Sequence, residues 1–339
     1  MDLKAFISGC ASTSLSDAER VFFAKNHPCG LIVFARNCES PDQLRALVAS
    51  FRNAVESEDV LILIDQEGGR VQRLRPPHWR NMPPARCFGV MYETDPKLGR
   101  DAAFSAARLI AQELAALGIN VNCTPVLDVP EKGAHDIIGD RAFSTDPDVV
   151  AALGRAVMDG TLAGGVLPVI KHVPGHGRAK ADSHLSLPRI DVAERELRSI
   201  DFRPFQALRD APLAMTAHVL LPYYDERRPA SVSPVIIGEV IRGLIGLEGL
   251  VMSDDIGMKA LGGPFAERAR AVIAAGCDVA LHCSGEFAEM VDTASAVPPL
   301  DGVAAERFAR ALSFLHAPEP FDEAEAMALV TEAAETYVA

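Results

Sequence analysis

Eight short apolar runs, alternating with longer amphipathic segments over about 300 residues, predict a single (β/α)8 barrel. The runs fall at 5–8, 31–34, 60–65, 120–125, 167–171, 213–217, 250–253 and 279–282. Most are nearly continuous in hydrophobic residues, the pattern of parallel strands buried on both faces, whereas a strand with one wet face alternates. A doubly wound open sheet would also alternate strands with helices, but the first strand is not followed by a Gly-rich dinucleotide fingerprint.

Helical periodicity is expected at 17–26, 42–55, 98–117, 147–163, 192–208, 234–244 and 266–275. Ser16, Ser40 and Ser233 stand before three of these, where a hydroxyl can accept from an unpaired amide of the first turn. Two further helices, 304–315 and 322–336, are joined by Ala317-Pro318-Glu319-Pro320 and are expected to cover the barrel's outside. With no repeat or interdomain linker, residues 1–339 read as one domain.

Composition narrows the function. The chain has 49% hydrophobic and 23% charged residues, which suits a packed core. A formal charge of −13 argues against nucleic acid or an anionic membrane as partner. The seven cysteines are scattered, odd in number and without a CxxC pair, as expected of free thiols in a reducing compartment. Ile7-Ser8-Gly9-Cys10 resembles a lipidation box, but the stretch before it is too short for an apolar signal core and carries Asp2 and Lys4. Nor does any later run approach the roughly 18 apolar residues of a membrane helix. A cytoplasmic protein acting on a small molecule is the expectation, as a monomer.

In a barrel of this kind the site forms where strands end and the following loops begin. Strand three runs into Asp65-Gln66-Glu67-Gly68-Gly69-Arg70, with Arg73 shortly after. Strand four runs into Asp128, and its loop carries Gly139-Asp140-Arg141. Strand five ends in Lys171-His172, strand six in His218, and strand seven in Ser253-Asp254-Asp255. A lone aspartate after a strand is commonly a helix cap. Five polar strand ends in one register point to a site.

The longest polar loop, 171–184, reads Lys171-His172-Val173-Pro174-Gly175-His176-Gly177-Arg178-Ala179-Lys180-Ala181-Asp182-Ser183-His184. Its histidines raise the question of a metal, but their spacing is poor for one and the neighbouring Lys and Arg would repel a cation. Asp182 and His184 are two apart, so an extended segment turns both to one side. A carboxylate bonded to one imidazole nitrogen orients the ring and leaves the other nitrogen to pass a proton. A plain structural hydrogen bond is the simpler alternative for this pair.

The segments LIDQEGGRVQRL, PVLDV, IGDRAFSTDP, KHVPGHGRAKADSHLSLP and VMSDDIGMKAL resemble glycoside hydrolase family 3, in particular its single-domain bacterial β-N-acetylhexosaminidases of peptidoglycan recycling. The likeness covers nearly the whole chain. It implies Asp254 as nucleophile, His184 as acid/base and Asp182 as its partner. It further implies Asp65, Arg73, Arg141, Lys171 and His172 as residues that hold N-acetylglucosamine, and no cofactor or metal. Val173 and Ile256 stand where phenylalanine and leucine are common in the family. A relative acting on chitin oligosaccharides, a catalytically silent sugar binder and a metal-dependent barrel hydrolase are the competing readings.

Overall fold

The structure, a computed structural model, describes residues 3–179, 183 and 186–338. Its centre is a closed barrel of eight parallel strands: β1 Lys4–Ser8, β2 Pro28–Val33, β3 Leu61–Ile64, β4 Val121–Asn122, β5 Leu167–Val173, β6 Leu213–Thr216, β7 Leu250–Asp255 and β8 Val279–His282. Each strand pairs with its neighbours in chain order, and β8 closes on β1. All eight expected strands are present. The fourth is shorter than its apolar run because Pro125 has no N–H to give the ladder, and only the isolated pair Val126–Lys171 resumes it.

Two apolar layers result from the alternation of side chains along each strand. Ile7, Ile32, Leu61, Leu63, Val121, Leu167, Val169, Leu213, Met215, Leu250, Met252, Val279 and Leu281 fill the barrel interior. Phe6, Val33, Ile62, Ile64, Ile170, Ala214, Val251 and Ala280 face outward into the layer shared with the helices. This interior pattern decides where the site lies. On β3, β5 and β7 the inward sequence runs Leu61-Leu63-Asp65, Leu167-Val169-Lys171 and Leu250-Met252-Asp254, so one further inward position places a charged residue on three alternate strands.

The helices follow the expected order with informative differences. Ser16 and Ser40 cap Asp17–Asn26 and Pro41–Val55, and Ser233 Oγ accepts from Ile236 N at 3.2 Å. The helix expected at 192–208 is broken into Glu194–Glu196, a π segment Leu197–Asp201 and Arg203–Ala207, Pro204 lacking the N–H that a continuous helix requires. Ile236–Ile245 is also wound as a π-helix. Two helices escape the periodicity reading, Ala85–Thr94 and Phe287–Ala296.

The C-terminal pair divides its work. Glu323–Val338 packs outside, on Ala85–Thr94 and Pro96–Ala115, as expected. Gly302–Leu312 departs from the expectation: Phe308 and Ala311 join the barrel interior beside Leu3 and Leu300, so this helix plugs the N-terminal mouth. Apolar side chains at the open end of the barrel need cover from water, and this helix supplies it. Among the described residues no helix is long and apolar enough to cross a membrane, and all seven cysteines are unpaired.

Candidate active site

At the C-terminal mouth, a cleft of about 560 Å³ is lined by Asp65, Glu67, Arg73, Arg141, Lys171, His172, Asp254 and Asp255, with Phe34, Arg36, Arg70 and Ser284 toward its rim. Its floor is an ion-pair network. Lys171 Nζ lies 2.8 Å from Asp65 Oδ1 and 2.6 Å from Glu67 Oε1, with only 1% of the residue exposed. Arg73 reaches Asp65 Oδ2 at 3.0 Å. Arg141 is bidentate on Glu67, with Nε at 2.8 Å and Nη2 at 2.9 Å.

The local sequence explains how these groups meet. After β3 the chain forms a small antiparallel ribbon, Gln66–Gly68 against Val71–Gln72. Gly68 and Gly69 have φ of +105° and +56°, a region that side chains disfavour, and the turn they make sends Arg73 back to Asp65. Buried Gln66 secures the return: its Oε1 accepts from Arg73 N at 2.9 Å and Leu74 N at 3.0 Å. Asn122 of β4 holds the main chain of Gln66 through both its N–H and its carbonyl. On β5 the register against β6 shifts between Lys171 and Val173, and Lys171 and His172 both reach the cleft.

Burial and pairing oppose each other here, and pairing wins. Burial alone would raise the carboxyls, yet Lys171 and Arg73 hold Asp65 well below the usual carboxylate range. Arg141 and Lys171 likewise hold Glu67 at about 2. Lys171 is pushed above its ordinary value because Asp65 and Glu67 outweigh its desolvation. The floor therefore carries fixed charges, and its lysine and arginines are already oriented by carboxylates instead of waiting loose for a substrate.

Beside the floor, His172 Nδ1 is 2.6 Å from Asp128 Oδ2. Asp128 is fully buried; desolvation would raise it, but the His172 ring and the His176 N–H keep its carboxyl lowered. A carboxylate accepts a hydrogen bond from Nδ1–H, which leaves the opposite nitrogen of the ring for other partners.

The two aspartates of β7 differ. Asp255 Oδ1 accepts from Gly257 N at 2.9 Å and Cys283 N at 3.1 Å, so its carboxylate is turned to the main chain. Asp254 Oδ1 accepts from Asp255 N at 2.8 Å, and its residue continues the inward row of β7 into the cleft. His218 has no place in the cleft lining: it is buried, with Nδ1 at 2.6 Å from Ser231 Oγ and Nε2 donating to Asp255 O at 3.0 Å.

The structure thus brings Asp65, Arg73, Arg141, Lys171, His172 and Asp254 together at one mouth. Asp182 and His184 lie outside the described residues. Glu67 and Asp128 stand at strand ends in the sequence, which by itself assigns them no part. Their signal was their position at strand ends, but their partners, Arg141 and His172, are 74 and 44 residues away. Among the described residues no three His, Cys, Asp or Glu side chains are grouped so as to hold a metal ion.

The N-terminal domain of glycosyl hydrolase family 3 matches residues 6–312. The chain belongs to glycosyl hydrolase family 3. It is 42% identical over 288 residues to a beta-hexosaminidase of Alkalilimnicola ehrlichii, covering 84% of this chain and 82% of that one. A beta-hexosaminidase of Chromobacterium violaceum is 38% identical over 304 residues, 88% of this chain and 84% of the relative. Among solved structures, NagZ from Neisseria gonorrhoeae in complex with N-trifluoroacetyl-D-glucosamine superposes with a TM-score of 0.88 at 30% identity, covering 98% of this chain and 99% of that one. A family 3 β-N-acetylglucosaminidase from Paenibacillus gives 0.86 at 29% identity over 98% of this chain and 67% of that one. The family 3 chain is accordingly a glycoside hydrolase of the β-hexosaminidase kind.

Proposed function

We propose that this family 3 enzyme is a retaining exo-β-N-acetylglucosaminidase that releases terminal N-acetylglucosamine from peptidoglycan fragments. Its substrate in this reading is N-acetylglucosaminyl-1,6-anhydro-N-acetylmuramic acid, with or without peptide, taken as a small molecule by a monomer in the cytoplasm. The observation that carries the proposal is Asp254, continuing the inward row of β7 into a cleft whose floor is the Asp65–Lys171–Glu67 network. The Neisseria relative, bound to an N-acylated glucosamine, supports the choice of sugar.

A retaining glycosidase works by two displacements. Asp254 attacks the anomeric carbon while His184, oriented by Asp182, protonates the departing oxygen, leaving a glycosyl ester on Asp254. His184 then takes a proton from water as that water attacks the same carbon, which frees the sugar and restores the Asp254 carboxylate. Asp65 accepts from sugar hydroxyls, and Lys171, Arg73, Arg141 and His172 hold the ring. Because Lys171, Arg73 and Arg141 are already paired with and oriented by carboxylates before substrate arrives, they stabilise the charge-developing transition state with little reorganisation.

Two experiments test the reading. Turnover of the anhydromuramyl disaccharide compared with chitobiose tests the substrate class, and the proposal expects the former to have the higher kcat/KM. Equal or better use of chitobiose would assign the enzyme to chitin fragments. The second concerns the proton. His184→Ala should lose about 10²–10⁴-fold on a sugar aglycone, which leaves as a basic alkoxide unless protonated. A dinitrophenyl glycoside should still form the glycosyl ester, with a burst and acceleration by azide. Equal losses on both substrates, with no azide effect, would remove His184 from proton transfer.

A further inference from the structure

Beyond His172, the loop after β5 carries a buried imidazole that the two displacements do not use. His176 is 3% exposed, and its main-chain N–H donates to Asp128 Oδ1 at 2.6 Å. The other oxygen of the same carboxylate holds His172 Nδ1 at 2.6 Å. From there the His176 ring reaches across the loop, with Nε2 3.1 Å from the hydroxyl of Ser183, itself 3% exposed. The Ser183 carbonyl accepts from Ala260 N at 3.3 Å, in the turn that follows Asp254. Ser183 is therefore tied on one side to β5 and on the other to the chain leaving β7.

Packing alone does not account for an imidazole here. Its Nδ1 is buried with no hydrogen-bond partner among the described residues, a cost that a purely space-filling ring would not carry, so what the imidazole supplies is the Nε2 contact to the Ser183 hydroxyl. Burial, with the nearby His172, brings the His176 pKa down to about 4 against the pull of Asp128, so the ring is neutral at cellular pH. A neutral ring in a water-poor site binds the Ser183 hydroxyl in a single geometry. The loop base is equally confined. A Cβ on Gly177 would lie 2.1 Å from Val129 O, and Arg178 pairs with Asp201 at 2.8 Å.

We propose that His176 is a positioning residue: it fixes Ser183, the residue between Asp182 and His184 in the sequence, relative to the sugar-holding His172. The inference rests on the reading of His184 as acid/base and names what places it.

The test compares two substrates within each variant, so that the activity retained on one reports correct folding. Ser183→Ala removes one oxygen. It should lower kcat on the disaccharide about 10- to 100-fold, with KM changed less than about 3-fold, the signature of a misplaced catalytic group. The pre-steady-state burst with the dinitrophenyl glycoside should keep its rate within about 3-fold, because that leaving group needs no proton. His176→Gln, whose amide extends toward the Nε2 position, should recover most of the disaccharide activity that His176→Ala loses. Equal loss on both substrates, no loss with Ser183→Ala, or no recovery with Gln would each overturn the proposal. His184→Ala run alongside separates the failures. If it discriminates between the substrates and Ser183→Ala does not, the positioning role alone falls. If it does not discriminate, the acid/base assignment falls and takes this inference with it.

Discussion

Asp254→Asn is expected to lower kcat on every substrate roughly 10⁴- to 10⁶-fold, the scale of loss when a nucleophilic constellation loses its central member. The effect should not depend on the leaving group, which distinguishes it from His184→Ala. Asparagine keeps the shape of the side chain and an oxygen for the Asp255 N–H now held at 2.8 Å, so the variant should fold, as its far-UV circular dichroism would show. What the amide lacks is a carboxylate able to form a glycosyl ester. A 5-fluoro glycosyl fluoride should label the wild type covalently, with the modified peptide carrying its mass on Asp254. A label on Asp255 would reverse the assignment. That outcome would require the Asp255 carboxylate to leave the amides of Gly257 and Cys283 and turn into the cleft.

The second large effect concerns stability as well as rate. Lys171→Met should destabilise the fold by about 3 kcal/mol, the lower end for breaking a buried ion pair, because Arg73 and Arg141 still face the two carboxylates. Its pH dependence follows from the depressed carboxyls of Asp65 and Glu67. A carboxyl whose folded value lies below its unfolded one contributes stability fully present above the unfolded value. That contribution is lost as pH falls through the folded value. The unfolded values are about 4, and Glu67 is held at about 2. Urea unfolding of the wild type should therefore weaken between about pH 4 and pH 2. The gap between wild type and Lys171→Met should be widest near neutrality and narrow across that window. A gap that stays constant with pH would show that Lys171 stabilises through packing and not through charge.

The barrel was legible because eight short, largely apolar runs alternate with helical segments and no Gly-rich dinucleotide fingerprint follows the first to favour an open sheet. Asp65, Lys171 and Asp254 were legible for a related reason, as charges where the inward alternation should have ended. The ribbon 66–72 was not, since two or three residues per strand give no periodicity to read. Ala85–Thr94 contains Gly89 and runs almost directly into Pro96–Ala115, so its pattern merges with the next helix. The π-wound segments escaped because periodicity marks which face is apolar without fixing how the backbone bonds close. Glu67 and Asp128 needed distances across the barrel. Asp182 and His184 were singled out by their spacing in the loop after the fifth strand, and the family motifs gave them their roles.

The inward rows of β3, β5 and β7 have a consequence for how the enzyme fails. Asp65, Lys171 and Asp254 stand one pleat above Leu63, Val169 and Met252, on strands whose hydrogen bonds also hold the barrel shut. The strand-borne part of the floor therefore has no local opening of its own, unlike Glu67, Arg73 and Arg141, which stand on connecting segments. Its amides exchange with solvent only when the whole cylinder comes apart, whereas the rim, carried on connecting loops, can breathe separately. Heat or denaturant that spares the barrel spares the charged floor with it. Drift in the rim alters which aglycone is admitted, while the charge pattern beneath changes only at the cost of the fold.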